Sequence, residues 1–205
     1  LLTAASELAP GQLVDLVLTR TVGMDGILLL VYVSGLMFVM RHFSGLILKF
    51  ISPVGLLWYS CVFAAIGLYL LSIANSPISG LFAATIWGIG VCYMWPTMLA
   101  TASERYPRGG SFFIGLMGVA GALSINYVLP ELGGIFDRAK QDFAGGIEAF
   151  ALLEGEPLNQ ALVSAAQTTF QSIAVLPLFL LIIFGAIWWK DKANGGYAPA
   201  MVNRK

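Results

Sequence analysis

The sequence predicts an all-α, polytopic membrane protein with five transmembrane helices. Three observations carry that prediction. Of 205 residues, 58% are hydrophobic and only 11% are charged, where a soluble domain carries roughly 25% charged residues. The few charges are also bunched, leaving four charge-free runs at residues 26–40, 50–103, 109–130 and 157–189. Finally, the period-2 alternation of a membrane β-strand is absent, and backbone groups in lipid must bond within their own segment, which leaves helices. Eleven basic and eleven acidic residues give a net charge of zero. No basic surface is available for nucleic acid.

Each element follows from these runs, since a crossing needs about 20 mostly apolar residues. The first span is expected at 24–45. The run at 50–103 is too long for one crossing and is divided by Asn75-Ser76-Pro77, a turn signal, giving spans at 53–74 and 78–100. The fourth is expected at 109–131 and the fifth at 170–189. Residues 1–23 carry Glu7, Asp15 and Arg20 and read as an external loop or surface helix. Residues 132–169 are polar, punctuated by Gly145-Gly146 and Pro157, and read as an external loop. A helix is expected to start near Asn159 and run into the last span, with a kink at Pro177. Residues 190–205 form a tail.

Orientation follows from the basic residues. Stretches 41–52, 101–108 and 190–205 hold eight of the eleven basic residues and two acids, a net of +6, and the rest of the chain nets −6. Lys and Arg favour cytoplasmic loops, so the chain starts outside and ends inside. Trp58, Tyr59, Trp188 and Trp189 fall near the cytoplasmic ends, where amphipathic rings form a belt. An outside start without a signal peptide implies that at least one span precedes Leu1.

The joint Ser103-Glu104-Arg105-Tyr106-Pro107-Arg108-Gly109-Gly110 resembles the short loop between helices 10 and 11 of major facilitator superfamily transporters. The span with Gly115, Gly118 and Gly121, followed by Pro130, Glu131, Gly133, Gly134 and Asp137, is similar to their helix 11 and its exit. Arg41-His42-Phe43-Ser44-Gly45 sits where the family's helix 8 to 9 loop carries its glycine, acid and basic signature, although Lys49 stands where an acid is expected. The resemblance covers nearly everything past residue 22 and implies helices 8 to 12 of a transporter. Helix 7 and the N-terminal half are then a missing partner. The Arg41 region and Gly195-Gly196-Tyr197 look most like bacterial sugar or nucleoside proton symporters. This implies an inner-membrane transporter working by alternating access on a small polar solute. The alternatives are a facilitator without ion coupling and a non-transporting scaffold or accessory subunit.

Site candidates are weighed on the same residues. Glu104, Arg105 and Arg108 are expected to lock a cytoplasmic gate, against a reading as a solvated loop. Arg41 follows 15 charge-free residues, about 22 Å of helix, short of the ~30 Å core; it either snorkels or faces a cavity. Tyr32, Trp87, Tyr93 and Asn126 are the expected substrate contacts, with Ser34, Trp95 and Tyr127 as further polar or aromatic groups within spans. Each has a competing reading as a core residue needing one partner. Gly115, Gly118, Gly121 and Ala122 read as a close-packing face. A coupling carboxylate is expected in the missing half, with Glu131 and Asp137 the nearest acids here. No cofactor or enzyme chemistry is expected: the charge-free runs hold no paired acids, His42 lies beside Arg41 at a boundary, and Cys61 and Cys92 lack metal or redox spacing.

Overall fold

In the computed structural model, residues 2–11 and 25–200 are described. The described residues are 87% helical, with no strand among them. Helix α1 covers residues 2–11. Then come α2 (Gly26–His42), α3 (Ser44–Ile47), α4 (Pro53–Ile73), α5 (Pro77–Cys92), α6 (Met94–Arg105), a 3₁₀ turn (Pro107–Gly109), α7 (Gly110–Ala144), α8 (Ile147–Ala151) and α9 (Gly155–Ala193).

Among the described residues, four helical stretches are long and apolar enough to cross a membrane: Pro53–Ile73, Pro77–Arg105, Pro107–Ala144 and Gly155–Ala193. The expected first span is a shorter apolar helix of 17 residues, Gly26–His42, about 26 Å long.

Helix starts are written locally. Ser52 accepts from the Gly55 amide ahead of Pro53 at the first helical position. Ser76 and Ser79 form a reciprocal capping box ahead of Pro77. Proline at the first turn sacrifices an amide that has no helical partner anyway. The turn expected at 75–77 therefore separates α4 from α5.

The core gathers around α4, which packs most extensively on α5 and α9, while α7 lies on α9 and α2 on α5. The α4–α5 crossing is close because of two glycines. A Cβ on Gly67 would collide with the Trp87 backbone, and one on Gly90 with the Ala64 backbone. Phe170, Leu57, Leu68 and Ile173 fill the middle. At one end Trp58, Tyr59 and Trp188 stack within 5.1–5.9 Å of one another, ring centre to ring centre.

Three sequence expectations differ from this arrangement. Of residues 1–23, expected as an external loop or surface helix, the described part, residues 2–11, is a helix with much of its surface in the core: Thr3, Ala4, Ala5, Ser6 and Ala9 are buried, and Ala9 belongs to the main core cluster, while the rest of the stretch lies outside the described residues. Small residues permit the close approach, and Glu7, the charge that argued for an exterior position, is paired with Arg41. Residues 132–169 are mostly helix, because α7 continues through Pro130 to Ala144, burying Leu132 and Phe136, and α9 begins at Gly155. The glycine face of α7 is not closely packed throughout. Cβ atoms on Gly115 and Gly118 would meet nothing within 4 Å, and only Gly121 faces a near neighbour, Trp95.

Candidate functional site

The long span Pro77–Arg105 is broken near its middle, where Tyr93 separates α5 from α6. The break has a covalent cause. Pro96 has no amide hydrogen, so the carbonyl four residues earlier, that of Cys92, loses its helical partner. Arg41 supplies the replacement: its Nε donates to the Cys92 carbonyl at 3.0 Å. Its Nη2 donates to Glu7 Oε1 at 3.3 Å. One guanidinium thus joins α1, α2 and the break in α5–α6. The α2 end is pinned further, with the Tyr93 hydroxyl donating to the Met40 carbonyl at 2.6 Å and the Cys92 thiol directed at the Met37 carbonyl.

A charged pair inside an apolar bundle is costly to assemble, and its geometry must recover the desolvation of both groups. Here the Glu7 side chain is only 15% exposed and that of Arg41 42%. Arg41 also borders an open groove of about 360 Å³ along α2 with Ser34, Met37, Phe38 and His42.

The expected substrate contacts do not converge. Trp87 is buried, and its indole N–H donates to the Ser6 carbonyl at 3.3 Å. Tyr93 is buried and committed to Met40. Tyr32 shares a hydrogen bond with Thr85 Oγ1 at 2.8 Å on the α2–α5 face. Asn126 lies exposed on α7 and donates to the Ala122 carbonyl one turn earlier. Trp87 and Tyr93 thus each hold one backbone partner.

The expected gate residues lie at the other end of α6, with partners from the last helix and the tail rather than from one another. Arg105 pairs with Asp191 on α9 and lies over the Tyr197 ring at 5.2 Å. The Tyr197 hydroxyl donates to Glu104, and the Ala200 amide donates to the Glu104 carbonyl at 2.8 Å. Burial, together with the hydrogen bond to Glu104 and that residue's charge, pushes the Tyr197 hydroxyl up to about 12, so it stays protonated and donating at neutral pH. Arg108 is exposed and pairs with no acid among the described residues.

Sequence reading missed Glu7 as a site residue, because it was counted as a loop charge. It also missed Asp191 and Tyr197 as the partners of α6, which are 86 and 93 residues away from Arg105 and Glu104. Among the described residues no group of three or more His, Cys, Asp or Glu side chains is placed to hold a metal ion. No protein-family model, curated protein or solved structure matches the chain.

Proposed function

We propose that the chain is part of a secondary transporter of the major facilitator kind, moving a small polar solute such as a sugar or nucleoside across a bacterial inner membrane by alternating access. In this reading α2 and the four longer spans are five crossings. The Arg105 end is cytoplasmic, and a further bundle covers the exposed faces of α2 and α7. The observation that carries it is the Arg41–Glu7 pair seated on the break in α5–α6. Ionisable groups are placed within apolar bundles at a cost that function commonly explains. Discontinuous helices are where transporters expose unsatisfied backbone to their cargo. The clamp of Glu104, Arg105, Asp191 and Tyr197 then serves as a latch that must open when the cytoplasmic side does.

The test is uptake by proteoliposomes holding the full-length protein that carries this chain, using radiolabelled D-glucose and uridine. The expected result is accumulation of one of them above the external concentration, driven by an inward proton gradient and abolished by a protonophore. Uptake that never exceeds the external concentration and ignores the protonophore would replace symport by facilitated diffusion. Uptake of both solutes no greater than in empty liposomes would overturn the transport reading.

A further inference from the structure

A cavity of about 260 Å³ lies where α1 faces α6 and α7, bounded by Glu7, Trp95, Gly118, Gly121, Ala122 and Ile125 among others. Four features of its wall bear on what it would hold. Glu7 presents a carboxylate of which one oxygen is held by Arg41, while the other accepts no hydrogen bond from any described residue. Trp95 is half-buried, and its indole N–H, unlike that of Trp87, has no acceptor among the described residues. The Trp95 ring rests on Gly121, where a Cβ would come within 3.0 Å of its far edge. Gly118 opens on free space, with nothing within 4 Å of a would-be Cβ, so the absence of a side chain there is what leaves room.

We infer that this cavity is a binding site for a neutral, polyhydroxylated solute of about one sugar ring. The unshared Glu7 oxygen accepts from a ligand hydroxyl, the Trp95 N–H donates to another, and the indole face and glycine floor take the C–H face of the ring. The class follows from charge and size. Arg41 already neutralises Glu7, so a cationic solute would have to displace a guanidinium. An anionic solute would meet a carboxylate and no lining cation. The volume falls below the ~300–1,000 Å³ typical of sites for drug-sized ligands, which favours a single ring. That such a solute is also carried across a membrane rests on the transport reading above; that it binds here does not.

Calorimetric titration of the full-length protein in detergent separates the two. D-glucose and D-ribose are the neutral polyol probes, with choline and gluconate as cationic and anionic ones. The expected result is binding of a polyol, neither charged probe binding as tightly, and a loss of about tenfold or more, some 1.4 kcal/mol, in Gly118→Leu. That variant grows into the open space, where a Cβ meets nothing within 4 Å, and leaves Arg41 and Glu7 themselves unsubstituted. Glu7→Gln should weaken binding as well. The inference is overturned if no polyol binds the wild type, if a charged probe binds more tightly, or if Gly118→Leu binds the polyol as the wild type does. The same variants in the uptake assay keep the two claims apart. Polyol binding that Gly118→Leu abolishes, with no uptake by the wild type, retires transport and keeps the site. Uptake that survives Gly118→Leu retires the site and keeps transport.

Discussion

Arg41 concentrates two obligations on one side chain: it compensates the Glu7 carboxylate and it satisfies the Cys92 carbonyl that Pro96 leaves without an amide. Removing one partner of such an arrangement costs more than removing both, because the survivor stays desolvated and unpaired. Arg41→Met should therefore destabilise the protein by ~1–3 kcal/mol, the lower part of that range being favoured by the 42% exposure of the side chain. Adding Glu7→Gln should recover part of the loss. Thermal unfolding in detergent checks this, and a double variant less stable than Arg41→Met alone would contradict it. Tyr197 offers a second check at this scale. Its hydroxyl is raised from 10 in the free side chain to about 12, so the folded state holds the proton more tightly than the unfolded. That contribution is fully present below pH 10 and fades as pH rises through about 12. Tyr197→Phe removes it at neutral pH, at a cost of ~1 kcal/mol, and should speed tryptic cleavage after Lys192. These roles were only half legible. Arg41 stood out as a charge too early for the membrane boundary, but Glu7 sits in a stretch whose local composition says loop. Nothing local announces a contact across 34 residues.

Elements show the same division between local and distant causes. The α4–α5 turn at 75–77 and the caps at Ser52 and Ser76 could be read directly, since serine before proline decides a helix start within four residues. That a proline at 96 disturbs a helix follows from its missing amide hydrogen, but nothing in the sequence says that the freed carbonyl would be answered from α2. A double-mutant cycle isolates that link. Pro96→Ala restores an amide to the Cys92 carbonyl, so Arg41→Met should cost about 1 kcal/mol less in that background, and strict additivity would contradict it. Glycine spacing misled for a physical reason: the small face of α7 borders open space at 115 and 118 and meets a neighbour only at 121, while the true close crossing uses Gly67 and Gly90, which match no regular interval in the chain. Gly67→Ala and Gly90→Ala should each lower the melting temperature, because backbone must move to admit a methyl group, whereas Gly118→Ala should leave it within the range of an ordinary surface change, under ~0.5 kcal/mol.

For the whole molecule the sorting of charge is the organising fact, and the fold sharpens it. Arg41 and Glu7 belong to opposite sides of the sequence tally yet meet beside Cys92, 15 residues after Pro77 and 13 before Arg105. Setting them aside leaves +5 in the basic stretches of the sequence and −5 in the rest of the chain. The long apolar helices were legible from composition alone, because a charge-free run needs no partner to be recognised. The packing order was not, and neither was the helical continuation of residues 132–144, where a polar sequence still carries Leu132 and Phe136 at helical spacing. The apolar stretch of α7 is largely uncovered, with Phe112, Leu116, Val119 and Leu123 exposed, as a face against lipid or a further bundle would be. The central claim, that this bundle crosses a membrane with its two charge poles on opposite sides, is tested most directly by impermeant thiol labelling of intact cells. Single cysteines replace Arg108 at the α6–α7 turn and Glu148 on α8, in a background with Cys61→Ser and Cys92→Ser. The account predicts that the residue 148 site labels from outside and the residue 108 site only after permeabilisation. Labelling of both sites from the same side would contradict it.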